Sequence, residues 1–476
     1  MTTLVWLQRD LRLQDHAALH YAIARQKPYV VAYFHDPDAL IGEANALWLA
    51  HSLLDLQRSL RQRGGELLMV EGDFETQFSQ LIQQLAIDEV VYHFEVGEPF
   101  ARLQQQALTL CKRLRIPLIP FDQAWYAHEE VRSQKGGLYS VFTPYYKKML
   151  TLLNRVALPL DAPTSLLDAP TNINPQWRNL PPHLHHLTQQ PWAQSLSQTL
   201  QVGEQAAWHR LEQFIEQHIN HYPQQRDFPA QEATSHLSTH LHFGEISSRE
   251  LLYYLQNLKA HPDYLIHAVD SVIRQLAWRE FGRYLLFFNP TLQQQAFQSK
   301  FQHFPWSDNP AAYQRWQRGQ TGIPIIDAGM RQLWQTGRQH NRVRMLCASW
   351  LSKNLNLPWT LGQTWYNDTL FDADPANNAM GWQWVAGCGV DAAPYYRLFN
   401  PVIQSEKFDP QAEYIKRWLP ELKSAPPALL HAPWKHQQAL REYGIKLGET
   451  YPLLREDLEQ TRQQHLQRVE ANKRYT

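Results

Sequence analysis

Val30 to Val70 reads VVAYFHDPDALIGEANALWLAHSLLDLQRSLRQRGGELLMV. Val30–Phe34 is a short apolar run rich in β-branched and aromatic residues. Ala46–Gln62 spaces its apolar residues as one face of a helix, and Leu67–Val70 is a second short apolar run. A strand, a helix and a strand in that order, with both strands apolar throughout, predict parallel strands buried on both faces. The pattern extends outward from this unit. Leu4–Leu7, Val90–Phe94 and Ile116–Phe121 read as further buried strands, and Phe100–Leu114 as a further helix. Residues 1–130 are therefore expected to form a Rossmann-like parallel-sheet α/β domain, with any ligand at the carboxyl ends of its strands. No G-x-G-x-x-G marks a conventional dinucleotide site there.

Beyond this domain the pattern changes. Residues 131–203 read as a connector, and between Ala157 and Gly203 seven prolines interrupt either period. From 204 to 476 the strand signal disappears. Ala206–Ile219, Ser248–Leu258, Leu265–Phe288, Ile325–Gln335, His340–Leu355 and Asp457–Asn472 all have helical spacing, so this part is expected to be all-α. Arg9 and Asp10 break the first apolar run too early for a secretory signal. The long uncharged stretch Asn179–Gly203 is rich in Gln, His and Pro and does not read as a membrane span. Three cysteines, Cys111, Cys347 and Cys388, give no disulfide framework and too few thiolates for an all-cysteine iron–sulfur cluster. A cytoplasmic protein follows as the expectation, with no metal site singled out. Net charge is zero over the 476 residues, yet residues 1–130 carry 11 basic against 17 acidic side chains, leaving the remainder positive. Such asymmetry suits an anionic partner for the second part and equally a solvated surface.

Chemistry-bearing residues gather in that second part, which with the connector holds 14 of the 17 tryptophans. On Leu265–Phe288, Gln275, Trp278, Arg279 and Gly282 form a stripe beside the apolar face. It suits a pocket floor, and also describes a polar helix edge. On His340–Leu355, Asn341 shares a face with Arg344 and Met345, and Arg342 and Arg344 need acceptors, for which Asp372 and Asp374 are candidates. Asn377–Pro401 alternates Trp382 and Trp384 around Gln383 among three glycines, as either a cavity wall or a glycine-punctuated core segment. Thr234-Ser235-His236-Leu237-Ser238 offers hydroxyls at a helix start, beside Tyr222, Arg226 and Asp227. A plain cap and a phosphate cradle both fit.

With these residues in view, the chain resembles the photolyase/cryptochrome flavoproteins, most closely the bacterial photolyases that act on cyclobutane pyrimidine dimers. The resemblance is carried nearly end to end by Tyr222–Pro229 (YPQQRDFP), Thr234–Ser238, Trp278–Phe281 (WREF), Thr321–Leu333 (TGIPIIDAGMRQL), His340–Met345 (HNRVRM) and Trp382–Phe408. It implies an α/β antenna domain, a connector and a helical domain that binds FAD. Tyr222 and Thr234, Ser235, His236, Leu237 and Ser238 would hold its phosphates and adenosine part. Arg279, Asn341, Arg344, Asp372, Asp374 and Asn378 would surround the rest, with Asp372 paired to Arg344 and Asn378 facing flavin N5. Trp382, Trp359 and Trp306 would form an electron-transfer chain. Trp278 and Trp384 would flank a flipped-out dimer, Gln275 and Asn341 would meet it, Met345 would pack nearby, and Arg226, Arg342 and Gln404 would contact the DNA. The activity implied is light-driven splitting of pyrimidine dimers in DNA by an electron from excited, reduced FAD, in a monomer without a membrane partner.

Two departures from the family pattern stand out. Dimer-specific photolyases usually carry glutamate where this chain has Gln275. Folate-binding relatives carry Asn-Glu where it has Gly97-Glu98, so Glu98 is a candidate for a methenyltetrahydrofolate antenna, while a deazaflavin or no antenna also fits. The competing implication is a cryptochrome-type blue-light photoreceptor. Asn378 favours repair over signalling, since plant cryptochromes carry aspartate there.

Overall fold

The computed structural model describes residues 2–167, 172–392 and 397–472. Pro170 of the connector and residues 393–396 of the Trp382–Phe408 motif lie outside that range. The chain forms two compact units. The first comprises Met1–Asn220, Ser235–Pro290 and Phe371–Ala376, and the second His221–Thr234, Thr291–Leu370 and Asn377–Thr476.

In the first unit β1 (Thr2–Leu7), β2 (Tyr29–His35), β3 (Leu67–Glu71), β4 (Ile87–His93) and β5 (Leu118–Phe121) make one sheet in the order β3-β2-β1-β4-β5. Every pairing is parallel, with Leu4 opposite both Val30 and Val90. The apolar runs of β1 to β4 are buried on both faces, as expected for a parallel sheet, but β5, expected to be buried as well, lies at the sheet edge, with Leu118, Ile119 and Phe121 half-buried and Pro120 exposed. Val5, Val31, Met69 and Val91 join one core with α1 (Ala17–Ala24) and α2 (Glu43–Arg61). Leu4, Trp6, Val30, Phe34 and Val90 join another with α3 (Phe74–Gln84) and α4 (Phe100–Leu114). The two residue sets alternate along each strand because successive side chains point to opposite faces.

Helices complete this unit: α5 (Phe142–Leu150), α6 (Pro182–Thr188), α7 (Pro191–Ser197), α8 (Glu204–Gln217), α9 (Ser248–Leu258) and α10 (Ile266–Phe288). Helices α6 and α7 fall in the connector, where the sequence shows no sustained period. Pro182 and Pro191 begin them at the first helical turn, where a missing N–H costs nothing. Seven residues each are too few to display a period, but Leu184 and Ala193 are fully buried in the core beside α2. Gly244, at φ +68°, ends the short helix Ser238–Phe243 where a Cβ would sit 2.1 Å from the Arg9 carbonyl oxygen. Only glycine allows that approach, which the Leu11 N–H donated to the Phe243 carbonyl (3.1 Å) completes.

The second unit is helical, with α11 (Pro324–Thr336), α12 (Asn341–Ser349), α13 (Trp359–Thr369), α14 (Pro375–Ala386), α15 (Pro401–Phe408) and α16 (Leu458–Asn472) as its main elements. The motif Thr321–Leu333 proves structural at its acid. Asp327 is fully buried and accepts from Thr321 N–H and Oγ1 (both 2.7 Å), Gly322 N–H (3.0 Å) and the Tyr451 hydroxyl (2.6 Å). The helix expected over His340–Leu355 starts one residue later, with His340 as its N-cap. Its α-geometry ends at Ser349, and Trp350–Asn354 continue as a π-helical turn. No helix among the described residues is long and apolar enough to cross a membrane.

Candidate functional site

In the first unit the site residues stand on α10, on the segment Phe371–Ala376 and at Ser235–Ser238. Trp278 is half-buried, and its ring stacks on Phe142 with centroids 3.6 Å apart and planes 9° from parallel. One turn back, Gln275 is also half-buried. Arg279 donates to the Leu241 carbonyl (3.1 Å) and to Glu280 (3.2 Å). Behind them lies a buried ion network. Arg9 pairs with Glu95 and with Asp374 (2.5 Å), and Arg283 shares Glu95 at 2.8 Å. Asn45 Nδ2 lies 2.8 Å from His242 Nε2, and His242 Nδ1 lies 3.3 Å from the Arg9 guanidinium and 3.9 Å from Asp374. Burial alone would raise the Asp374 carboxyl, but Arg9, His242 and Arg279 hold it well below the ordinary range. Asp374 is therefore a fixed anion. Asp372 is half-buried, and its carbonyl accepts from the Asp374 N–H at 2.7 Å. His236 has φ +54°, Ser235 Oγ accepts from the Leu237 N–H (3.4 Å), Leu237 is buried and Ser238 exposed.

Also in this unit, Asp10, His16 and His93 are buried with ligand atoms close enough to suggest a metal. The proton inventory argues otherwise. His16 Nδ1 accepts from the Leu19 N–H, so Nε2 carries the proton and lies 3.1 Å from Asp10 without a hydrogen bond to it, while His93 Nδ1 lies 2.8 Å from the same oxygen. Burial lowers the His93 pKa to about 4. His93 can donate to that oxygen, and each ring keeps a hydrogen on the side of the carboxylate, where a metal ion would need a bare nitrogen. Glu98, the antenna candidate, is exposed just ahead of α4.

The second unit holds the rest. His340 Nδ1 accepts from the Arg342 N–H (3.2 Å) and caps α12. Burial lowers its pKa to about 4, so it caps as the neutral ring. Arg342 pairs with Asp227 (2.7 Å) and lies 4.3 Å above the Phe408 ring. Arg226 lies 4.0 Å from Asp227 and 5.4 Å from the Tyr222 ring, while Phe228 meets Phe408 edge-on at 6.0 Å. The structure thus brings Tyr222, Arg226 and Arg342 into one basic, aromatic cluster. Thr234 is half-buried in this unit, as are Met345, Trp384 and Gln404, and Asn341 is exposed. Arg344 donates to the Gln339 carbonyl at 2.8 Å.

Asn378 gives both amide hydrogens to its own unit, to the Gln363 carbonyl (3.2 Å) and Asn367 Oδ1 (2.6 Å). Its remaining oxygen can only accept. One turn on, Trp382 is 3% exposed and packs edge-on against Tyr366 (5.0 Å) and Trp316 (6.1 Å). It presses on Gly362, where a Cβ would lie 2.1 Å from its ring. Trp359 is 4% exposed, whereas Trp306 is half-exposed beside Phe304 (4.5 Å). Gln383, between the two tryptophans, is a structural peg. It donates to the Leu292 and Gln295 carbonyls and accepts from the Phe297 N–H, all within 2.9 Å.

Sequence reasoning missed Arg9 as the partner of Asp374, Asp227 as the partner of Arg342, and Phe142 behind Trp278. The one available signal was Arg9-Asp10 itself, charges placed abruptly at the end of an apolar strand.

A family model described as DNA photolyase matches residues 3–164, and one described as FAD binding domain of DNA photolyase matches residues 272–471. A deoxyribodipyrimidine photo-lyase of Agrobacterium fabrum is 38% identical over 99% of this chain and 98% of its own length. Among solved structures, a bacterial class III photolyase from Agrobacterium tumefaciens superposes with a TM-score of 0.92 at 37% identity, covering 99% of this chain and 98% of that one. A Synechocystis cryptochrome gives 0.91 at 28%, covering 98% of each. A parallel five-stranded sheet joined to helices matched by an FAD-binding domain defines a flavoprotein of the photolyase and cryptochrome class. This chain belongs to the DNA photolyase family.

Proposed function

We propose that the protein is a light-dependent DNA lyase that splits cyclobutane pyrimidine dimers with FAD as its working cofactor. The observation that carries this reading is Asn378, an amide whose hydrogens are spent on Gln363 and Asn367 and whose oxygen is left to accept. That acceptor fits a reduced flavin, whose N5 bears hydrogen. It does not fit a carboxylate role that would take up a proton there. Bound and reduced, FAD supplies under light the electron that opens the cyclobutane ring and takes it back, so the net reaction consumes no reductant.

The chain's own residues do the rest. Tyr222 and Thr234 through Ser238 hold the phosphates and adenosine, with Arg279, Asn341, Arg344, Asp372 and Asp374 along the remainder. Asp374, kept ionised by Arg9, supplies an acceptor whose charge does not change over the working pH range. Trp306, Trp359 and Trp382 carry an electron inward from solvent, the burial of the three indoles rising in that order from half-exposed to 3% exposed. Arg226, Arg342 and Gln404 bind the DNA strand, most of their affinity coming from phosphates. Trp278 and Trp384 receive the faces of the flipped lesion, Gln275 and Asn341 its polar edges, and Met345 packs against it. Glu98 is the candidate contact for a pterin antenna, a deazaflavin or no antenna being the alternatives.

The test is illumination of the reduced holoprotein with an oligonucleotide carrying one thymine dimer, followed by recovery of the intact thymines. Repair in light and none in the dark is expected. Photoreduction of the flavin without any repair would leave the photoreceptor reading in its place.

A further inference from the structure

We propose that Phe142, backed by Tyr146 and Arg274, is a positioning residue that fixes the indole plane of Trp278 before the lesion arrives. The inference rests on reading Trp278 as a lesion-stacking residue and adds what holds it. A half-buried tryptophan on a helix would ordinarily sample more than one rotamer. Here one whole face is taken. Phe142 lies against it at 3.6 Å and 9°, Tyr146 continues the column behind Phe142 at 5.5 Å and 13°, and Phe281 meets the indole edge-on at 6.0 Å. The Arg274 guanidinium lies 4.9 Å from the Phe142 ring and 5.1 Å from that of Tyr146. Arg274 and Trp278 are one turn apart on α10, so the arginine and the indole grip the same rings from one helix.

The column itself is anchored. Phe142 is 1% exposed, and Tyr145 of the same helix packs on Phe281 (4.8 Å) and Tyr284 (5.0 Å) of α10. Helix α5 therefore cannot shift without breaking several ring contacts. A lesion taken out of the base stack must find a flat partner in a set orientation. A partner already held there avoids the loss of rotamer freedom on binding. Stacking on one side of the indole leaves the opposite face as the one a planar ligand can use. Phe142 thus affects recognition of the lesion through Trp278 and touches neither DNA nor flavin.

The experiment measures binding in the dark, with the FAD-loaded full chain and fluorescent duplexes that differ only by a single thymine dimer. The quantity read is the ratio of the two affinities. Phe142→Leu keeps apolar bulk but removes the stack. It is expected to lower this ratio about three- to tenfold, in line with the known strength of aromatic pairs, while affinity for undamaged DNA and FAD content stay unchanged. Arg274→Met keeps the side-chain length and decides the matter should Phe142→Leu fail to fold. A lost cation–π grip lowers the ratio about two- to threefold, whereas a lost phosphate contact alone weakens both duplexes equally and leaves the ratio intact. Trp278→Ala is the control for the underlying reading. If it lowers the ratio and the column variants that fold do not, the positioning role is overturned alone. If Trp278→Ala leaves the ratio unchanged, both are overturned.

Discussion

Gln275 is the residue at which this chain departs from the dimer-specific pattern, and its consequence is chemical. A glutamine on α10 can donate to and accept from the pyrimidine edges but cannot stabilise a developing negative charge as a carboxylic acid does. Gln275→Glu should therefore raise the repair yield per absorbed photon, measured as dimers split at fixed light dose with the substrate saturating. An unchanged or lower yield would remove this account of the position. Single residues could be singled out in the sequence where a motif brackets them, as with Asn378 and Trp382. They were illegible where the partner is remote. Arg9 and Asp374 are separated by 365 positions, and nothing local to either marks the pair. Asp227 was visible beside Arg226, but its stronger partner, Arg342, is 115 positions away, at 2.7 Å in the fold.

At the scale of elements, the most informative surprise is the π-helical turn after α12. Apolar spacing continues through Leu355, so a period alone shows one helix. The added residue per turn appears only as the Leu355 N–H reaching back to the Trp350 carbonyl, 2.9 Å away. The turn carries Lys353 into the core. Its ammonium donates to the Arg397 carbonyl (2.8 Å), faces Cys388 and Arg397, and is pushed down to about 7 by burial. The unfolded chain holds that proton up to the ordinary lysine range, so between about pH 7 and 10 unfolding takes up protons and folding stability rises with pH. That rise, at most about 1.4 kcal/mol per pH unit, is absent from Lys353→Met. Urea melts of both proteins across this range should show the wild-type stability rising relative to that of Lys353→Met as pH increases; a constant difference would contradict a buried, depressed lysine.

Helix α13 makes a second element-level prediction. Gly362 leaves room for the Trp382 ring and for Leu351, 2.6 Å from where a Cβ would be. Gly362→Ala should cost about 1–3 kcal/mol of stability as an overpacked contact. It should also slow light-driven flavin reduction by displacing the inner tryptophan. An unaltered melting temperature together with an unaltered photoreduction rate would contradict that packing. The glycine itself looked unremarkable in sequence, since its reason lies on another helix.

For the whole molecule, two periodicities read from the sequence, two for the sheet and 3.6 for the helices, recovered the order of its parts. They did not recover the contact grouping, in which Ser235–Pro290 and Phe371–Ala376 join the sheet's unit. That grouping is written in charges and in close backbone approaches. Arg9 and Glu95 at the carboxyl ends of strands meet Arg283 on α10 and Asp374 beyond it, and Gly244 admits the Arg9 carbonyl. Buried charges of this kind are tolerated only in full sets, so each member needs all the others, and no window of sequence contains the set. The central claim for the molecule is that light absorbed by bound, reduced FAD drives the repair. An action spectrum tests it most directly, with dimer splitting measured across wavelengths at equal photon flux on the reduced holoprotein. Repair that follows the absorption of the reduced, chromophore-loaded protein and vanishes in the dark is the predicted result. Repair that proceeds without light, or none at any absorbed wavelength while the lesion is bound, would contradict it.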